Sequence, residues 1–422
     1  MRVHNKLFYL LPVWISISIF SFGLSIITDN IKFILSVSLS YAVISMLFHT
    51  KSLHLVLLNF FVLLFPLDYT IGLLSGESFY PFYNFDEMPL AFFLISLFSA
   101  SFLCFRMNPQ TCHFSKNLEI YESKLILRVL MLLAFIATVS IKGSVALFIG
   151  DVGYSTYQEN LRGGSGIIEY TLMIFISCLF YKKNKKEYYL LVGLILFYCL
   201  KMTLLGFRVQ SLISILVITF LVLKKNPSVK VNISICVLGF LFMVVYGIVK
   251  EGVNVFEDGF SFNILVDTRY GYIQSHQHGV LSSGSIILSH PNEELLNILY
   301  IPATFLASIF PRFLIGTQLE FMYPSIYVQN FEYTPGGGFF SVQMYSLLGI
   351  GGVIASLLFL MITFSKFCSA NCNKFILVMG ITLLCFFPRW ISYDFLNFGL
   401  RTVLLTFVLV HMPYYFKLSS KC

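Results

Sequence analysis

Apolar residues along this chain come in blocks separated by short polar stretches. A helix needs roughly 20 apolar residues to cross the hydrocarbon layer of a bilayer. The pattern predicts twelve such helices, at 7–28, 31–49, 53–75, 89–105, 125–141, 166–181, 188–205, 209–223, 231–249, 339–364, 375–388 and 398–416. The first follows Arg2 and Lys6 as a cleavable leader would, but further apolar runs come at once, which predicts a retained span. Another apolar stretch, 296–316, is interrupted by Pro302, Pro311 and Arg312. It is expected to lie in or dip into the interface, where irregular backbone must be buried by protein or wetted. Two polar stretches are long, 142–165 and 250–338, the second about a fifth of the chain. Loops beyond roughly 15 residues are usually functional or disordered. The Tyr, Phe and Gly in these two, without runs of one charge, predict folded functional loops. No fixed-period repeat, low-complexity tail or separate soluble domain stands out, so residues 1–422 are expected to form a single integral membrane domain.

Composition agrees. Hydrophobic residues make up 57% of the chain and charged residues 11%, against about 25% charged in an average soluble domain. This excludes a disordered protein, a nucleic-acid reader and an ordinary soluble enzyme. The net charge of +8 sits in short clusters between apolar runs, which is how membrane proteins set their orientation. Lys182, Lys183, Lys185 and Lys186 form one cluster and Lys224, Lys225 and Lys230 another. Two spans separate them, so both can be cytoplasmic. Working outward, Arg2, Lys6, Lys51, Arg106, Lys116, Lys124, Arg128, Lys366, Lys374, Lys417 and Lys421 fall on the same side, with both termini. All nine cysteines fall in spans or cytoplasmic loops of this topology, away from an oxidising periplasm. The expected fold is therefore an all-α polytopic membrane protein. It has about twelve transmembrane helices and two long periplasmic loops, the second containing interfacial helices.

Arginine on the outer side is the main chemical signal. Arg162, Arg208, Arg269, Arg312, Arg389 and Arg401 all fall there, where positive charge is normally depleted. Guanidinium groups bind phosphate in two-point geometry and keep their charge, so a lipid diphosphate at the outer interface would fit. The alternative is pairing with Glu159, Asp267 or Asp394, or with lipid headgroups. Arg208 follows Gly206 in the tight connection between two spans, with Lys201 about two turns earlier. Asp267-Thr268-Arg269-Tyr270-Gly271-Tyr272 precedes Ser275-His276-Gln277-His278-Gly279. A His or Asp there can take a proton from a sugar hydroxyl. His-x-His with no third ligand nearby is a weak zinc pattern. Thr334-Pro335-Gly336-Gly337-Gly338 opens a span, and glycines at a helix start expose amides that can cradle a phosphate or sugar. Gly349, Gly351 and Gly352 are expected to permit close helix packing. Tyr154, Tyr157 and the aromatics at 79–85 fit sugar stacking or an interfacial belt. No Asp-x-Asp, GxxxxGK[ST] or Gly-x-Ser-x-Gly occurs in the chain. These absences argue against a metal-bridged nucleotide-sugar enzyme, an ATP motor and a serine hydrolase.

The order of these features resembles the Wzy-type polymerases of bacterial O-antigen and related polysaccharides. The matching residues are Gly206-Phe207-Arg208, Asp267-Thr268-Arg269, Ile309-Phe310-Pro311-Arg312-Phe313, and Gly336-Gly337-Gly338 running into Ser341-Val342-Gln343-Met344-Tyr345. Members often carry Glu after the glycine-rich start, where this chain has Gln343, so Gln343 is not assigned as a base. The resemblance implies an inner-membrane enzyme that needs no cofactor or metal. It would transfer a growing chain from undecaprenyl diphosphate onto the terminal sugar of a new lipid-linked repeat unit. It also implies membrane lipids and a chain-length regulator protein as partners, and no nucleic acid. Arg269 and Arg312 are expected at the diphosphate, supported by Arg208 and Arg162. Asp267 or His278 is expected as the base, with Tyr157 and Gly337 at the substrate. An O-antigen ligase and a non-enzymatic flippase of the same pathway are the alternatives.

Overall fold

The computed structural model describes residues 10–75, 84–103, 118–146, 153–223, 227–251, 276–290, 337–368 and 372–419. Thirteen α-helices lie among them. They are α1 (Leu11–Ile27), α2 (Lys32–Phe48), α3 (Leu53–Ser75), α4 (Met88–Leu103), α5 (Lys124–Ser140), α6 (Gly153–Cys178) and α7 (Lys185–Leu204). After these come α8 (Arg208–Val222), α9 (Val229–Glu251), α10 (His276–Ser289), α11 (Phe340–Phe367), α12 (Lys374–Ser392) and α13 (Arg401–Ser419). The described residues contain no strand, only an isolated bridge between Tyr121 and Tyr181. Each of the twelve apolar blocks holds a helix, and among the described residues five helical segments are long and apolar enough to cross a membrane. Large apolar side chains such as Phe20, Leu125, Leu200 and Leu238 stay exposed on the outside of the bundle, as a lipid-facing surface requires.

Three differences from the expected pattern have clear causes. Helix α6 starts at Gly153, so part of the stretch expected as a loop over 142–165 is helical. Its first turns are polar and give no apolar run. Helix α12 continues past Pro388 to Ser392, where the apolar pattern ends at 388. Proline in a helix interior normally breaks it, but Arg389 is paired across the bundle, and Trp390 Nε1 donates to the Leu383 carbonyl at 2.9 Å. Helix α10 is the thirteenth and lies within the second long loop. It is buried along most of its length and packs on α3, α4 and α11. The interrupted stretch 296–316 lies outside the described residues.

Several hydroxyls inside the bundle are satisfied locally. Thr138, Thr171, Ser177, Ser214 and Thr382 each donate to the carbonyl four residues earlier, at 2.7–2.8 Å. This places polar side chains in an apolar helix without a distant partner. The core is aromatic at its centre. Phe339 packs 5.0 Å from Phe65 and 5.5 Å from Phe98. Phe340 packs 4.8 Å from Phe395 and 5.5 Å from Trp390. Phe65 and Phe98 sit part-way along α3 and α4, so the start of α11 is recessed into the bundle.

Contacts between helix ends show that direction alternates along α5–α9. At one end, Asn160 of α6 reaches the turn between α7 and α8, and Tyr246 of α9 donates to the Thr203 carbonyl of α7. Lys201 Nζ donates to the last carbonyls of α5, Thr138 at 2.7 Å and Val139 at 3.3 Å. A cation there meets the negative end of the helix dipole. We call this the hairpin end. At the opposite end, Tyr121 and Tyr181 meet α13, through His411 and the Val410 carbonyl. Lys183 there donates to the Cys178 and Leu179 carbonyls that close α6.

Helix α11 is one element in name and two in geometry. Gly349 has φ 60° and ψ −155°, far from helical values. Before it, Phe340–Met344 and Leu347 are buried; after it, Ile350, Ile354, Leu358 and Ile362 form an exposed stripe. The three glycines expected to let helices pack closely do another job. Among the described residues a Cβ at Gly349 or Gly351 would meet nothing within 4 Å, and the nearest atoms to one at Gly352 belong to Met344 and Leu348, on the other side of the kink.

Candidate functional site

The hairpin end gathers the charged side chains that the apolar pattern leaves unexplained. Arg389, near the C-terminus of α12, donates from Nε to Glu169 Oε1 of α6 at 2.9 Å, and its Nη2 lies 2.9 Å from the same oxygen as an ion pair. Gln210 of α8 donates to the same oxygen at 3.0 Å. Glu169 is 4% exposed and Gln210 also 4%, so this is a buried, three-helix polar contact. Glu169 Oε2 has no hydrogen-bond partner among the described residues.

Aromatic rings complete the holder. The guanidinium carbon of Arg389 lies 4.4 Å from the ring centres of both Tyr393 and Phe398. Those rings are 6.3 Å apart and inclined at 66°, so the guanidinium sits in the corner between them. Cation–ring attraction of this kind strengthens when the pair is desolvated. Phe398 belongs to a π-helical turn, Leu396–Leu400, between α12 and α13. Asp394 starts that turn: its side chain accepts from the Leu396 N–H at 2.9 Å and its carbonyl from Phe398 at 2.8 Å. Arg401 follows at the start of α13, its guanidinium carbon 5.7 Å from the same Phe398 ring.

The glycine-rich start of α11 adjoins this corner. The Gly338 N–H donates to the Ser392 carbonyl at 2.8 Å, and its own carbonyl accepts from Gln343 at 2.9 Å. Gly337 has φ 91°, and a Cβ there would lie 2.4 Å from the Ser392 oxygen. Gln343, set aside as a base on sequence grounds, is the side chain that holds this segment.

Of the other expected site residues, Arg208 is the first residue of α8, half-buried, after a turn in which Gly206 has φ 92°. It stands two residues before Gln210, so Arg208, Arg389 and Arg401 share one end of the bundle. His278 is in α10 and buried. That helix lies in the long segment between α9 and α11 and is not one of the five spanning candidates, and burial pushes the His278 imidazole down to about 3. The ring is therefore neutral near pH 7. Tyr157 and Arg162 lie on α6, with their side chains outside the described set. Asp267, Arg269 and Arg312 lie outside the described residues.

Glu169 and Asn160 were not singled out by the sequence. Asn160 Oδ1 accepts from the Ser144 N–H at 2.9 Å, while Nδ2 donates to the carbonyls of Ser144 at 2.8 Å and Leu205 at 3.2 Å. It ties the segment after α5 to the turn that carries Arg208. Asn160→Ala is expected to cost about 2 kcal/mol by leaving these backbone groups without their partner, read as a lower melting temperature of the detergent-solubilised protein. An unchanged melt would show that the clamp contributes nothing.

No family model matches the chain, and neither a curated protein nor a solved structure matches it.

Proposed function

We propose that this chain is a polymerase of a bacterial surface polysaccharide, joining repeat units carried on undecaprenyl diphosphate at the periplasmic face of the inner membrane. The observation that carries the reading is the arginine holder at the hairpin end. A guanidinium is kept in a buried aromatic corner, at the same end as Arg208, Arg401 and the glycine-rich start of α11. The proposed topology has twelve spans, both termini in the cytoplasm and the hairpin end outside. It rests on the lysine clusters at the opposite end.

The reaction follows from the chemistry of the leaving group. The acceptor hydroxyl oxygen attacks the anomeric carbon of the donor chain. The bond from that carbon to the diphosphate oxygen breaks, and its electron pair leaves with the diphosphate. The hydroxyl proton passes to Asp267 or His278. Charge building on the diphosphate is met by fixed guanidinium groups, in the manner of an oxyanion hole. Arg269 and Arg312 would take the diphosphate, supported by Arg208 and Arg162, with Tyr157 stacking on a sugar and Gly337 shaping the floor. Membrane lipids surround the site, and a chain-length regulator would act on the product.

The test is the lipopolysaccharide banding pattern of the source strain with this gene deleted. Core carrying a single repeat unit, with no ladder, is the expected result. Bare core alone would move the assignment to a ligase or a flippase. An unchanged ladder would remove all three for that polysaccharide.

A further inference from the structure

Glu169 meets Arg389 in an unusual way. A carboxylate that only neutralises a guanidinium commonly offers both oxygens in a parallel two-point fork. Here Arg389 Nε, Arg389 Nη2 and Gln210 Nε2 converge on the single oxygen Oε1. The second oxygen, Oε2, is buried and has no partner among the described residues. The carboxylate thus fixes the plane of the guanidinium from one edge, while Tyr393 and Phe398 limit its tilt.

The ring that closes the corner comes from an uncommon element. π-helical turns are rare and are found mostly at functional sites. A buried ion pair adds little stability over well-packed apolar residues of the same volume. An ion pair needed only to join three helices would need neither the aromatic corner nor the π turn. What the combination achieves is an arginine whose orientation is set before any ligand arrives, which lowers the ordering cost of binding.

We propose that Glu169 is a positioning residue for the lipid diphosphate: it holds Arg389 in the plane in which the guanidinium contacts a phosphate oxygen. The proposal rests on the reading of this end of the bundle as a lipid-diphosphate site, and it adds Arg389 to the arginines that touch the substrate. Glu169 acts through Arg389 and does not itself contact the reacting atoms.

The experiment is calorimetric titration of the full-length protein in detergent with undecaprenyl diphosphate. The variants are Glu169→Gln, Arg389→Lys, both together, and the charge swap Glu169→Arg/Arg389→Glu, each checked by its melting temperature. Glu169→Gln and Arg389→Lys are each expected to weaken binding at least tenfold, and the double variant less than twofold beyond Arg389→Lys alone. The swap retains an ion pair between α6 and α12 but moves the guanidinium, and it is expected to melt near the wild type and not to bind. Restored binding in the swap would overturn the proposal, because a purely structural pair works in either direction. Wild-type-like binding in both single variants would also overturn it, and would leave the diphosphate to the other arginines. If the wild type itself fails to bind undecaprenyl diphosphate, the functional reading fails, and the proposal with it. If the swap does not fold, additivity of Glu169→Gln and Arg389→Lys decides against the proposal.

Discussion

Glu169→Ala is expected to destabilise the protein by about 3–5 kcal/mol, the typical penalty for leaving one member of a buried ion pair alone. Arg389 would keep its charge, since a guanidinium does not deprotonate in proteins, and would lose the hydrogen bond and the ion pair that it makes with Glu169 Oε1. The measurement is the melting temperature of the purified protein in detergent. Glu169→Leu combined with Arg389→Leu makes the companion. Removing both charges with apolar residues is often neutral or stabilising, so the double variant is expected to melt close to the wild type. Its polysaccharide ladder should nevertheless stay absent. A Glu169→Ala protein that melts like the wild type would mean that the pair is not desolvated as the buried carboxylate implies. A double variant that also restores the ladder would remove Arg389 from the function.

The second large effect is expected at Gly337. Its φ of 91° lies where L side chains are strained, and a Cβ would come within 2.4 Å of the Ser392 carbonyl oxygen. That oxygen cannot yield easily, because it accepts the hydrogen bond from Gly338. The conformational strain alone is about 1–2 kcal/mol, and the backbone clash adds to it, so Gly337→Ala is expected to cost about 3 kcal/mol. Gly351→Ala, inside α11, is the control. A Cβ there meets nothing within 4 Å, and alanine is the better helix former by about 1 kcal/mol. The control should melt at or slightly above the wild-type temperature. Equal melts for the two variants would show that the junction of α11 with the end of α12 is not rigid.

Much of this architecture was legible in the chain because a membrane helix has a one-dimensional signal. Twelve apolar blocks predicted helices, and each block holds one. The turn at Gly206 was visible because a tight connection between two spans needs a residue tolerant of positive φ. The site was legible only on its basic side. Arg389 stood out as a charge between apolar runs, but its partner is 220 positions away and sits as a lone acid after Ile167-Ile168. Nothing local marks Glu169 as paired, so the pairing offered for the arginines went to Glu159, Asp267 and Asp394. Asp394 also shapes the π turn. Helix α10 was hidden for a related reason. Its Ser, Gly and His composition reads as a loop in isolation, and it becomes helical where α3, α4 and α11 cover it. Asn160 escaped notice because its three hydrogen bonds all go to backbone, which no residue pattern displays.

The kink at Gly349 divides α11 between two mechanical environments. The half before it is seated among rings and joined to the end of α12. The half after it presents an isoleucine and leucine stripe to the surroundings. A straight helix of this length would behave as a stiff rod and carry any tilt of its outer surface into the core. The break at Gly349 makes two shorter rods instead, so the segment that adjoins the arginine corner and the segment that carries the exposed stripe do not share one axis.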